Sequence, residues 1–130
     1  AGNVRVVTQP CPGLVELIET GDLFSPTIRA LLQSYVEPLL NEGCDTIILG
    51  CTHYPFLKPL LREMIPESII LIDTGHAVAR QLQRLLGQQN LLAEGPARET
   101  VFWTSADPTN FGNILPALWK KSDSVRSFGL

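Results

Sequence analysis

An α/β fold, with a parallel sheet flanked by helices, is the fold class that this 130-residue sequence predicts. Three observations carry the prediction. Short apolar runs alternate with helix-period segments along the chain, as in a parallel sheet with crossover helices. Two of the runs are continuously apolar rather than alternating, which is expected of strands covered on both faces. Each run also gives way at its carboxyl end to polar or reactive residues, where open α/β sheets place their chemistry.

The elements follow in order. Val4-Arg5-Val6-Val7-Thr8 is β-branched and predicts a strand, closed by the breaker-rich Gln9-Pro10-Cys11-Pro12-Gly13. A short apolar stretch from Leu14 to Glu19 ends at Thr20-Gly21. Ser25-Pro26 starts a helix, with an N-cap followed by proline in the first turn. Behind it Ile28, Leu31, Leu32, Tyr35, Val36, Leu39 and Leu40 recur at helical spacing, Pro38 predicts a bend, and Gly43 supplies the stop.

Asp45-Thr46-Ile47-Ile48-Leu49-Gly50 predicts a buried strand, and Cys51-Thr52-His53-Tyr54-Pro55 follows it. A helical pattern then runs from Phe56 to Ile65 and stops at Pro66. Ser68-Ile69-Ile70-Leu71-Ile72 predicts another buried strand, leading through Asp73-Thr74 into a helix from about Gly75 that Gly87 ends. Residues 87–98 predict a loop. Glu99 to Thr104 predicts a strand, and Asp107-Pro108 caps a last helix that Pro116 shortens or kinks. The polar tail from Lys120 predicts a loose end.

Composition narrows the function classes. The chain is 45% hydrophobic and 18% charged, with net charge −3. A charge content below the roughly 25% usual for soluble domains argues against disorder and predicts a surface meant to be covered. The acidic balance speaks against a sequence-independent nucleic-acid grip, which needs a basic face. No apolar run reaches membrane-spanning length, and nothing resembles a signal peptide. Cys11, Cys44 and Cys51 are odd in number and form no CxxC pair, so they read as thiols of a reducing cytoplasm. The chain lacks an initiating Met and opens directly on a strand-like run, which predicts a piece of something longer. No GxGxxG or Walker loop supports a nucleotide site.

Cys51 is the first candidate for chemistry. It ends a buried strand just ahead of a helix start, where backbone N–H groups and the helix dipole favour a thiolate. His53, two residues on, could exchange protons with it. Equally, Cys51 could be a small buried hydrophobe and His53 a turn residue. Cys44 lies at the opposite end of the same strand and reads as structural. Cys11 could border the site but has no obvious base, and it too reads as structural. A metal centre of Cys51, His53 and His76 lacks any recognised ligand spacing, so none is expected. Glu16 and Glu19 read as a solvated acidic face, and Asp73 and Asp107 as caps as readily as ligand contacts. Phe102, Trp103, Phe111 and Trp119 read as core.

Leu49-Gly50-Cys51-Thr52-His53-Tyr54-Pro55 resembles the second cysteine motif of bacterial glutamate racemases. Cys11-Pro12 followed by Glu19 resembles the family's upstream Cys-Pro…Glu segment. Ile72-Asp73-Thr74-Gly75 and Phe102-Trp103-Thr104-Ser105-Ala106-Asp107 resemble its two downstream motifs, so the resemblance spans nearly the whole chain. Related aspartate racemases usually carry Glu where His53 stands, which points to glutamate. Ala106 departs from the family's more frequent Gly.

The resemblance implies flavodoxin-like lobes in a much longer protein, of which this is the C-terminal part. Residues 1–73 would finish the lobe carrying the second catalytic cysteine, and residues 74–130 would return to pack on the absent N-terminal lobe. It implies cofactor-independent proton transfer between L- and D-glutamate, supplying D-glutamate for peptidoglycan, in the cytoplasm. Cys51 would be the acid/base on the L-glutamate face, with His53 assisting. Thr52 would bind a substrate carboxylate or amine, and Glu19 would lie near the substrate ammonium as an electrostatic or proton-relay group. The partner cysteine belongs to the absent part, so this chain alone should be inactive. No nucleic acid, membrane or metal partner is expected, and the complete protein could form a homodimer. Two other classes stay open on the residues: a non-catalytic small-molecule binding module, and a thiol hydrolase or transferase using Cys51 with His53.

Overall fold

A computed structural model describes residues 4–96, 99–119 and 124–128 of the chain. They fall into two compact units, divided between Asp73 and Thr74. Both are α/β, with parallel strands flanked by helices.

The first unit begins with α1 (Leu14–Ile18) and α2 (Pro26–Asn41). Gly13 precedes α1 with φ 79°, a left-handed conformation that a Cβ would strain, so glycine lets the Cys-Pro turn enter the helix. Ser25 caps α2, its Oγ accepting from the Ile28 amide at 3.3 Å. Ile28, Leu32 and Val36 form the buried stripe, and the helix runs unbroken through Pro38. It ends as a Schellman motif: Gly43 has φ 74° and its amide reaches Leu40 O, while the Cys44 amide reaches Leu39 O.

Strand β1 (Thr46–Leu49) leads to a 3₁₀ turn (Tyr54–Leu57), then α3 (Lys58–Met64) and β2 (Ile70–Asp73). The strands pair in parallel, with Thr46 opposite Ile70 and Leu49 opposite Asp73. Leu14, Ile18, Ile28, Leu57 and Leu60 are the most deeply buried side chains and make this unit's core.

Two expectations fail in this unit. Residues 4–8 form no strand: a strand needs a ladder partner, and β1 and β2 pair only with each other among the described residues. Val4 and Val6 are accordingly exposed. Nor is the sheet covered on both faces. Ile47 and Leu49 are buried while Ile48, pointing the other way, is 65% exposed, and Ile70 and Ile72 are also exposed. The continuous apolar pattern is thus met by cover on one face only.

The second unit contains α4 (Gly75–Gln88), β3 (Val101–Thr104), α5 (Pro108–Trp119) and β4 (Ser124–Ser127). Gly87 does not end α4, which runs on to Gln88 and caps at Gln89. Asp107 does cap α5, its Oδ1 accepting from the Thr109 and Asn110 amides at 2.6 and 3.3 Å. These bonds to the ionised form hold its carboxyl below the usual range. Pro116 sits within a continuous α5.

The loose tail is also corrected. Lys120 lies outside the described residues, but Ser124–Ser127 is a strand, parallel to β3 with Val101 opposite Ser124. Arg126 then stacks over Trp103, 5.7 Å from the ring centre, and Phe128 lies 5.6 Å from the same ring. Of the expected aromatic core, Phe102 packs edge-on to Trp119 at 5.5 Å and near Phe111 at 6.3 Å. Trp103 and Trp119 are each half exposed, so neither indole is enclosed as core.

Candidate active site

The loop leaving β1 carries the reactive residues. β1 ends at Leu49, so Cys51 emerges just past its carboxyl end, and Pro55 in the 3₁₀ turn fixes the backbone behind it. Cys51 is half-buried. Its Sγ lies 3.7 Å from His53 Nδ1, and His53 Nε2 lies 3.2 Å from Glu19 Oε1. Glu19 caps the C-terminus of α1, so a helix end and a strand end supply the two outer members of a thiol–imidazole–carboxylate relay. Side-chain exposure falls from 58% at Glu19 to 32% at His53. The carboxylate faces water while the imidazole and thiol are partly withdrawn from it.

The relay has a defined sense. A carboxylate only accepts hydrogen bonds, so in the neutral imidazole Nε2–H donates to Glu19 and leaves Nδ1 as the acceptor facing Sγ. A thiol proton moving to Nδ1 would give an imidazolium between thiolate and carboxylate, with both ring N–H groups partnered. The expected amide donors contribute less. The Tyr54 amide is taken by the Cys51 carbonyl at 3.3 Å, and the Phe56 amide by that of His53 at 3.1 Å. His53, rather than the start of the turn, is the polar partner that the thiol faces.

Thr52, between the two, is exposed. Among the described residues no group of three His, Cys, Asp or Glu side chains is gathered as a metal site. His76 stands on α4 in the second unit.

Residues read as structural in the sequence also gather here. A groove of about 930 Å³ runs beside β1 and is lined by Cys11, Cys44, Cys51, Ile48 and Tyr54 among others. Cys11 Sγ donates to Gln9 O at 3.4 Å. Burial pushes the Cys11 thiol up, opposed by a hydrogen bond from Tyr54 and reinforced by the charge of Cys51. Tyr54 is pushed up to about 12, first by burial and then by the neighbouring Cys11. Cys11 and Tyr54 therefore border the candidate site as neutral donors at pH 7. The Cys-Pro turn is anchored from α2, where Tyr35 OH donates to Pro12 O at 2.6 Å. Tyr54 and Tyr35 were not visible as site residues from spacing, since each looks like part of an amphipathic or turn pattern.

A parallel α/β lobe thus sets a thiol, an imidazole and a carboxylate in hydrogen-bonded order at a strand's carboxyl end. Residues 3–82 match the Asp/Glu/hydantoin racemase family, and the chain belongs to it. It is 68% identical over 130 residues to a glutamate racemase of Pseudomonas entomophila (strain L48), covering all of this chain and 49% of that protein. It is 73% identical over 130 residues to one of Pseudomonas syringae pv. tomato, covering 47% of it. The chain thus spans about half the length of the curated relatives it matches.

Among solved structures, a glutamate racemase isoform of Bacillus anthracis superimposes with TM-score 0.82 at 26% identity, covering 94% of this chain and 46% of that one. The Escherichia coli enzyme, solved with L-glutamate and the activator UDP-MurNAc-ala, gives 0.65 at 28% identity over 89% of this chain and 44% of that one. These likenesses bear out the α/β fold with flavodoxin-like lobes. No helix among the described residues is long and apolar enough to cross a membrane.

Proposed function

We propose that the complete protein containing this chain interconverts L- and D-glutamate, and that this chain is its C-terminal part. The observation that carries the reading is the Cys51–His53–Glu19 relay, set at a strand end in a chain of this family. Glutamate as substrate is supported by the glutamate racemases it resembles, one of them solved with L-glutamate.

The chemistry is a proton transfer. The thiolate of Cys51 takes the α-proton from L-glutamate, and a protonated group on the opposite face gives its own proton to the carbanion, forming the D-enantiomer. The α-proton is a very weak acid, so a partly desolvated thiolate and donors aimed at the substrate carboxylate are both required. His53 holds or delivers the proton of Cys51. Thr52 binds a substrate carboxylate or amine, and Glu19 orients His53 and lies near the substrate ammonium. No cofactor enters these steps.

One side of the α-carbon is served by Cys51, and a single cysteine cannot serve both. The opposing cysteine belongs to the rest of the protein, so this chain alone should not racemise glutamate. Residues 1–73 finish the lobe bearing Cys51, and residues 74–130 return to the other lobe, which would cover the exposed apolar side chains. The product would feed peptidoglycan synthesis in the cytoplasm, and a homodimer is the assembly proposed for the complete protein.

Deuterium uptake tests the reading. The complete protein in D₂O should place deuterium at the α-carbon of glutamate while forming its enantiomer. The relay order also suits a nucleophilic thiol with its base and orienting carboxylate, as in a hydrolase or transferase. An acyl-enzyme trapped on Cys51, with no α-deuterium in glutamate, would establish that second reading instead.

A further inference from the structure

Asp73 fastens both ends of the loop that carries Cys51 and His53. At one end Leu49, the last residue of β1, is its register partner across the parallel ladder. At the other, Lys58, the first residue of α3, donates from Nζ to Asp73 Oδ2 at 2.6 Å. Everything between these points, residues 50–57, is the loop with Cys51, Thr52 and His53 and the 3₁₀ turn that begins directly after His53. The pair is only partly shielded, with Asp73 at 11% and Lys58 at 39% side-chain exposure.

Each flanking element also has an anchor of its own, away from the near end of α3. Leu60 and Leu61 bury α3 in the core. Arg62 donates to Ile69 O at 2.9 Å and ties the far end of α3 to the entrance of β2. β2 is fixed by its ladder to β1. What the Lys58–Asp73 bond adds is the span of the loop. We propose that Lys58 is a positioning residue, whose bond to Asp73 sets the separation of the Cys51 thiol from the His53 imidazole. The inference rests on the reading of Cys51 and His53 as the acid–base pair, and it concerns how they are held rather than what they do.

The test is a double-mutant cycle read on the thiol, without turnover. In the complete protein, the rate at which iodoacetamide alkylates Cys51 at about pH 7.5 is followed by peptide mass spectrometry. Lys58→Met should slow it about two- to fivefold, the scale of a partly exposed ion pair. Lys58→Arg, which can still reach Asp73, should restore most of the rate. In a His53→Asn background, Lys58→Met should change nothing further, because the geometry it maintains no longer has a partner. Equal slowing in both backgrounds, no slowing, or faster alkylation would overturn the proposal. Should Lys58→Met lose the fold, as circular dichroism would show, Asp73→Asn carries the same cycle. Failure of deuterium uptake with the coupling intact would remove the racemase reading and leave the positioning role standing.

Discussion

His53 Nε2 and Glu19 Oε1 stand 3.2 Å apart although 34 positions separate them in sequence. The contact exists because α1 ends where β1 ends, so a residue that reads as part of an acidic surface becomes the orienting partner of an imidazole. It also decides the tautomer of the neutral ring, and with it that the nitrogen facing Cys51 is an acceptor.

Glu19→Gln should therefore weaken catalysis without removing it. An amide can still meet Nε2 but cannot stabilise an imidazolium. In the complete protein we expect kcat to fall about tenfold, short of the roughly hundredfold minimum typical for losing a general acid or base itself. Unchanged kcat would mean that the pair is a surface contact without a role in turnover.

The cysteines should separate cleanly. Cys51→Ser in the complete protein should abolish racemisation while circular dichroism shows an intact fold. Cys44→Ser should retain most of the activity, since Cys44 precedes β1 and Cys51 follows it. Comparable losses at both positions would show that the wrong thiol has been chosen.

Much of this arrangement was legible in the sequence, and what was not has physical causes. Ser25-Pro26, Gly43 and Asp107-Pro108 mark helix ends through local chemistry, and the structure uses each of them. The β1–Cys51–His53 order is local as well. Val4–Thr8 misled because β-branched residues state a preference, whereas a strand also needs a neighbour. Ser124–Ser127 was missed for the opposite reason: a polar segment becomes a strand once β3 offers its edge. Glu19 was reached only through the family resemblance, and its contact with His53, like those of Asp73 with Lys58 and of Tyr54 with Cys11, is tertiary and encoded in no spacing.

High pH should expose the Cys11–Tyr54 pair. Both groups are raised in the folded chain, Cys11 from 9.0 and Tyr54 from 10.0 to about 12. A raised pKa favours the protonated form on folding, so this stabilisation is complete below the ordinary values and is lost as pH rises through the folded ones. Denaturant midpoints should fall from about pH 9 upward, and Cys11→Ala should flatten that decline. An identical pH profile in the variant would contradict the coupling.

Low pH should act on α5 through Asp107. Its carboxyl is lowered by the Thr109 and Asn110 amides, so its stabilising effect is present above the ordinary carboxylate range. The effect disappears as pH falls through the lowered folded value. Asp107→Ala should lower stability at pH 7 and lose less than the parent on acidification. In the core, Ile18→Ala should cost about 2–5 kcal/mol, measured by urea unfolding, as expected for a side chain with no solvent exposure.

The placement of Cys51 on one face of the substrate is tested most directly by isotope exchange in its Cys51→Ser variant. The complete variant protein is incubated in D₂O with each enantiomer separately, and α-deuterium is followed by NMR with chiral separation. Without Cys51 the opposing base can still remove and return a proton on its own face. D-glutamate should therefore slowly gain deuterium without inversion, while L-glutamate stays unlabelled. Deuterium entering L-glutamate but not D-glutamate, or continued formation of the opposite enantiomer, would contradict the assignment.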